Sequence, residues 1–138
     1  MTNEFVKNRQ DASVNPAAKT LPNGAATVYT ASIDLGTTNP KLANSPELDI
    51  SAPALTNAQL GSGATMTYFL QDSADDSSFT TILGLSALTQ TGAGAGAVAI
   101  ANKRVAIPSG CRRYVRVAVT NSAAGNASAA SVTVKAMF

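Results

Sequence analysis

The sequence predicts an all-β protein, a sandwich or barrel of about eight short strands. Three observations predict it. Period-2 alternation of β-branched and aromatic residues recurs along the chain from Thr27 onward. Clusters of Gly, Pro, Asn, Asp and Ser separate those runs at short intervals. No run keeps a helical period long enough to make a helix, which removes the crossover helices that a parallel sheet needs. At 138 residues and 14.0 kDa the chain fits one domain, large enough to bury about two thirds of its extended-chain surface.

The most regular stretch runs from Cys111 to Phe138. Val115, Val117 and Val119 alternate with Arg112, Tyr114, Arg116 and Ala118. Val132, Val134 and Ala136 then alternate with Ser131, Thr133 and Lys135. A loop of Asn, Ser, Ala and Gly between them turns but cannot pack a core. The expectation is one long antiparallel hairpin with a valine face laid on a second layer.

Residues 1–26 hold few large apolar side chains (Phe5, Val6, Val14 and Leu21), and Pro16, Pro22 and Asn23-Gly24 break any period. This reads as an extended or flexible N-terminal arm, with Phe5-Val6 as its apolar anchor, ahead of a β domain over 27–138. In that domain Tyr29, Ala31, Ile33 and Leu35 share one strand face, and Leu48, Ile50 and Ala52 another. Residues 55–60 are ambiguous, a single turn stopped by Gly61 and Gly63. Met66, Tyr68 and Leu70 face opposite to Thr65, Thr67 and Phe69. Asp72 to Ser78 turns into a return strand from Phe79. Gly92 to Ala97 reads as a surface loop, and 98–101 and 104–107 as two short strands.

Composition narrows function. There is no His and no Trp, one Cys, and only 13% charged residues. Without His, the usual general base and the Ser-His or Cys-His nucleophile are missing. One Cys excludes an internal disulfide and a thiolate metal cluster. Asp72, Asp75 and Asp76 lack calcium-loop spacing and suit a hairpin turn. The Gly92-Gly94-Gly96 run lacks the following helix of a nucleotide loop. Asn126-Ala-Ser128 fits a glycosylation sequon, and Cys111 fits a small buried hydrophobe at a strand start. The expectation is no enzyme, no metal and no cofactor.

Net charge is +2, divided as −1 over residues 1–69 and +3 over 70–138. That excess is too small for a nucleic-acid footprint. No apolar run approaches a membrane span of about 18 residues. The start of the sequence lacks the apolar segment of a signal peptide, so synthesis and assembly are expected in the cytoplasm. The sharpest polar feature is Arg112, Tyr114 and Arg116, read as sharing the face away from the valines. It is either a solvated outer face or a protein interface, where Arg and Tyr are enriched.

Three segments give the chain a familiar outline: the polar lead into Ala26-Thr-Val-Tyr-Thr-Ala-Ser-Ile-Asp-Leu-Gly36, the central Thr67-Tyr-Phe-Leu-Gln-Asp-Ser-Ala-Asp-Asp-Ser-Ser-Phe-Thr-Thr-Ile82, and Pro108-Ser-Gly-Cys-Arg-Arg-Tyr-Val-Arg-Val with the closing strand. In these it resembles the jelly-roll capsid cement, or decoration, proteins of short-tailed bacteriophages. That resemblance implies a jelly-roll β-sandwich, a homodimer or homotrimer, and a virion protein bound outside an icosahedral shell of major capsid protein. It supplies no catalytic residue. The alternative is a receptor- or carbohydrate-binding β-sandwich of a phage tail or spike, in which Tyr68 and Asp72 could serve, although saccharide sites usually offer more aromatic platforms.

Overall fold

The computed structural model describes residues 18–35, 47–82, 86–94, 98–108 and 110–137. Phe5, Val6 and the rest of residues 1–17 lie outside the described residues, as do residues 36–46 and residues 95–97 of the glycine-alanine run. Among the described residues ten strands form: β1 Lys19–Thr20, β2 Thr27–Tyr29, β3 Ile33–Asp34, β4 Glu47–Ala52, β5 Thr65–Ser73, β6 Thr80–Thr81, β7 Leu88–Thr91, β8 Ala101–Ala106, β9 Tyr114–Asn121 and β10 Ser131–Met137. The described residues contain no helix.

One antiparallel sheet runs β1-β10-β4-β8, and the other is built on β9 and β5. β2 and β3 pair with opposite ends of β9, while β6 and β7 pair with opposite ends of β5. Each of these pairs is one interrupted edge strand. Counted so, eight strands lie in the orders 1-8-3-6 and 2-7-4-5, the jelly-roll arrangement.

The expected terminal hairpin does not form. β9 pairs with β2, β3 and β5, whereas β10 pairs with β1 and β4 in the facing sheet. Residues 122–130 therefore cross from one sheet to the other. Both valine runs do face the core: Val115, Val117, Val119, Val132 and Val134 are all buried. Alternation fixes which side chains point inward, and it is silent about which strand lies alongside.

The inward set of β4 (Leu48, Ile50, Ala52) and of β5 (Met66, Tyr68, Leu70) is as the alternation requires. The Tyr68 hydroxyl is satisfied by donation to Gln90 Oε1 at 2.8 Å, and Gln90 Nε2 donates to the carbonyls of Pro53 and Ala99. Burial by these neighbours pushes the phenol pKa up.

The first strand departs from its expected phase. Val28 pairs with Val119 and Ile33 with Val115, so the edge strand holds one residue more than β9 over that interval. This bulge turns Tyr29 out to solvent, at 43% exposure, while Ile33 stays in the core. At the break, Thr30 Oγ1 accepts from the Val117 amide at 3.0 Å. The stretch assigned to the arm also contributes to the sandwich. Lys19 pairs with Val132, Thr20 pairs with Ser131, and Leu21 is buried.

Residues 55–63 form a capped turn, not a helix. Leu55 exchanges both backbone bonds with Val98, and the Thr56 amide donates to Gln59 Oε1 while the Gln59 amide donates back to Thr56 Oγ1. Gly92, expected in a surface loop, is buried, and a Cβ there would collide with the Gly61 carbonyl. The turn is thus held on the sandwich through a contact that only glycine permits. The two strands expected over 98–107 are a single strand, β8, preceded by the Val98 bridge.

Candidate protein interface

The outer face of the β9-β5 sheet is set by its register. Tyr29, Ala118 and Phe69 form one cross-strand row, and Arg116, Gln71 and Thr81 the next. Thr27, Thr120, Thr67 and Thr89 form a third, in which the Thr27 and Thr120 hydroxyls lie 2.8 Å apart. These rows carry aromatic and hydroxyl groups, with Arg116 as their one charge.

Arg116 organises it. Its guanidinium carbon sits 3.9 Å from the Tyr29 ring centroid and 3.8 Å from that of Phe79, so one planar cation lies against two rings. Its Nε donates to Gln71 Oε1 at 2.9 Å. Partial burial pulls the Arg116 pKa down, partly offset by Tyr29 and Asp76, and the group stays charged at any ordinary pH. A guanidinium fixed at both faces has little rotamer freedom left to lose on binding.

Of the three residues expected on this face, Arg116 and Tyr114 are there and Arg112 is not. β9 begins at Tyr114, so the alternation does not extend back to Arg112. The Arg112 amide donates to Asp72 Oδ2 at 2.8 Å, and its Nε donates to Asp72 Oδ1 at 2.9 Å. Nη2 lies 2.5 Å from Asp72 Oδ1 and also donates to the Asp72 carbonyl and to Thr80 Oγ1. Asp72 is a buried residue at the end of β5, not part of the turn. Burial raises its pKa, but the hydrogen bonds and charge of Arg112 outweigh that and leave it below the usual carboxylate range. Arg112 straps the segment just before β9 to β5.

Arg113 is the neighbour sequence reasoning passed over. It forms a two-bond ion pair with Asp34, at 2.8 and 2.7 Å, and lies 5.0 Å from the Tyr114 ring. Tyr29 and Phe79 were missed as interface residues for different reasons. The bulge hid the first, and the second, read as the first residue of the return strand, stands one position before β6 begins. Phe69 was legible, standing opposite the buried Tyr68 in an unbroken alternation.

Cys111 is partly buried beside the core, and burial and the Asp72 charge raise its thiol pKa. Tyr68 and Asp72, the pair that could serve a saccharide, are bonded to the buried Gln90 and to the partly exposed Arg112 respectively. Among the described residues no group of three or more Cys, Asp or Glu side chains could hold a metal ion.

The fold and this surface define a jelly-roll β-sandwich with one aromatic, arginine-centred sheet face. A family comparison gives the class a name. The family described as Bbp16 matches residues 17–136, nearly the whole chain, and the protein belongs to it. No curated protein matches the sequence.

Proposed function

We propose that the protein is a structural virion component, a cement or decoration protein on the outer surface of an icosahedral phage head. There it bridges subunits of the major capsid protein and stiffens the shell against the pressure of packed DNA. It acts as a homodimer or homotrimer, without cofactor or catalytic activity. The observation that carries this reading is the outer face around Arg116, where Tyr29, Phe69 and Phe79 gather on a rigid sheet. Aromatic and arginine side chains are the groups that dominate protein contacts. A stiff sandwich resists shear, and several weak contacts made by a symmetric oligomer add up through avidity.

The test is direct. Expanded capsids lacking the protein are mixed with it and sedimented, and their heat stability is measured. The protein is expected to co-sediment and to raise the temperature at which the shells open. Failure in both measurements removes the cement reading. Arg116→Ala is expected to weaken co-sedimentation, and deletion of residues 1–17 tests Phe5 and Val6 as a further anchor.

A further inference from the structure

β10 is paired unequally on its two sides. Toward β4 it is matched from Thr133 to Met137. Toward β1 it is matched only at Ser131 and Val132, opposite Thr20 and Lys19, and no partner follows among the described residues. A strand interior to the sheet thus presents an open edge beside the chain that enters β1.

Water cannot satisfy that edge. Amides along an antiparallel strand point alternately to its two sides. The Leu21 amide donates to the Ala130 carbonyl at 2.9 Å, and Lys19 pairs with Val132, so the groups of β10 that face the gap are those of Val134 and Ala136. These residues are 1% and 0% exposed. Their amides and carbonyls on that side need a partner from protein.

The sequence upstream of β1 fits the gap position by position. Continued register sets Ala18 opposite Thr133, Ala17 opposite Val134, Pro16 opposite Lys135, Asn15 opposite Ala136 and Val14 opposite Met137. Ala17 and Asn15 fall where an amide faces β10. Pro16, which has no amide to donate, falls where the amide points away, so it takes nothing from the ladder. Ala18 falls on the outward side and is exposed.

We propose that residues 14–18 of this same chain continue β1 along β10 and close its edge, so that the segment bearing Phe5 and Val6 leaves the sheet past Met137. The occupant is the chain's own because nothing separates Ala18 from the pairing already made at Lys19. Val6 stands eight positions before Val14, which limits the anchor's reach to about 28 Å beyond that end of the sheet. The proposal concerns the isolated chain and does not depend on shell binding.

Hydrogen exchange of the protein without capsids tests it. The Val134 and Ala136 amides are expected to exchange at least about tenfold slower in the full chain, and in a chain lacking residues 1–12, than in one lacking residues 1–17. The Thr133 and Lys135 amides, which face β4, should stay slow in all three. Ala17→Pro is expected to speed exchange at Val134 at least about tenfold, and Ala18→Pro to leave it slow. A cross-link then identifies whose segment fills the gap. In a Cys111→Ser background, Pro16→Cys and Lys135→Cys place two thiols in a non-hydrogen-bonded pair, with Cα atoms about 4.5 Å apart, within disulfide range. Oxidised glutathione is expected to close this bond within one chain. A bond between chains would hand the gap to a second copy and overturn the proposal. So would the absence of any bond, exchange at Val134 and Ala136 that ignores the loss of residues 1–17, or equal effects of the two proline variants. The cross-link stays decisive even if a truncated chain fails to fold.

Discussion

β9 and β10 look alike from the core and unlike from outside. Each buries a row of valines, and the rows face each other from opposite sheets. Outward, β9 shows Tyr114 and Arg116 with aromatic neighbours, while β10 shows Ser131, Thr133 and Lys135 beside a polar recess. The inward halves are interchangeable in kind because hydrophobic burial has no direction. The outward halves are not, since each is defined by what its neighbouring strands bring across.

If that division holds, inward substitutions should cost stability alike in both strands. The largest expected loss is at Gly92, which serves both sheets through the 55–63 turn. Gly92→Ala is expected to cost about 3 kcal/mol in denaturant unfolding, because the Gly61 backbone must move. Val117→Ala and Val134→Ala are each expected to cost about 2 kcal/mol, from lost transfer energy and a residual cavity. A difference between those two above about 1 kcal/mol would break the equivalence.

Between core and face lies the Arg112–Asp72 strap. Arg112→Ala should lower the melting temperature by less than the valine truncations. Its pH dependence carries the sharper test. The folded-state pKa of Asp72 is depressed, so its contribution is fully present above the unfolded value near 3.8 and is lost as pH falls through the lower folded value. The wild-type advantage over Arg112→Ala should therefore be constant from neutral pH down to ordinary carboxylate pH, then vanish in stronger acid.

Outward substitutions should separate the strands. Arg116→Ala is expected to cost about 2 kcal/mol of shell binding, as the centre of an aromatic cluster. Arg116→Lys should recover little of it, since an ammonium cannot lie flat between two rings. Across the sandwich, Ser51→Ala breaks an exposed hydrogen bond to Asn102 and is expected to change folding stability by less than about 0.5 kcal/mol.

Most of the fold was legible in the sequence, and what was lost was lost for identifiable reasons. Leu48, Ile50, Met66, Tyr68 and Leu70 could be placed because their strands run without a break. Tyr29 could not, because a single extra residue between Tyr29 and Ile33 inverts the phase without leaving any composition signal. Arg112 was misplaced by extending alternation two residues before the strand begins. Its partner Asp72 lies 40 positions away, beyond any local pattern. The wrong pairing of β9 with β10 had the same root: neighbours in sequence were taken for neighbours in space, and a jelly roll separates them.

That separation governs how the chain can fold. β9 and β10 come last among the strands, yet each occupies an interior place, β9 between the β2/β3 edge and β5, and β10 between β1 and β4. Neither sheet can close on the strands that precede them. β1 must wait for a partner more than a hundred positions downstream, and until then the edge of β4 that β10 takes stays open. Such non-local closure makes for slow folding. During synthesis the nascent chain would carry open edges on both sides of that gap until β10 emerges.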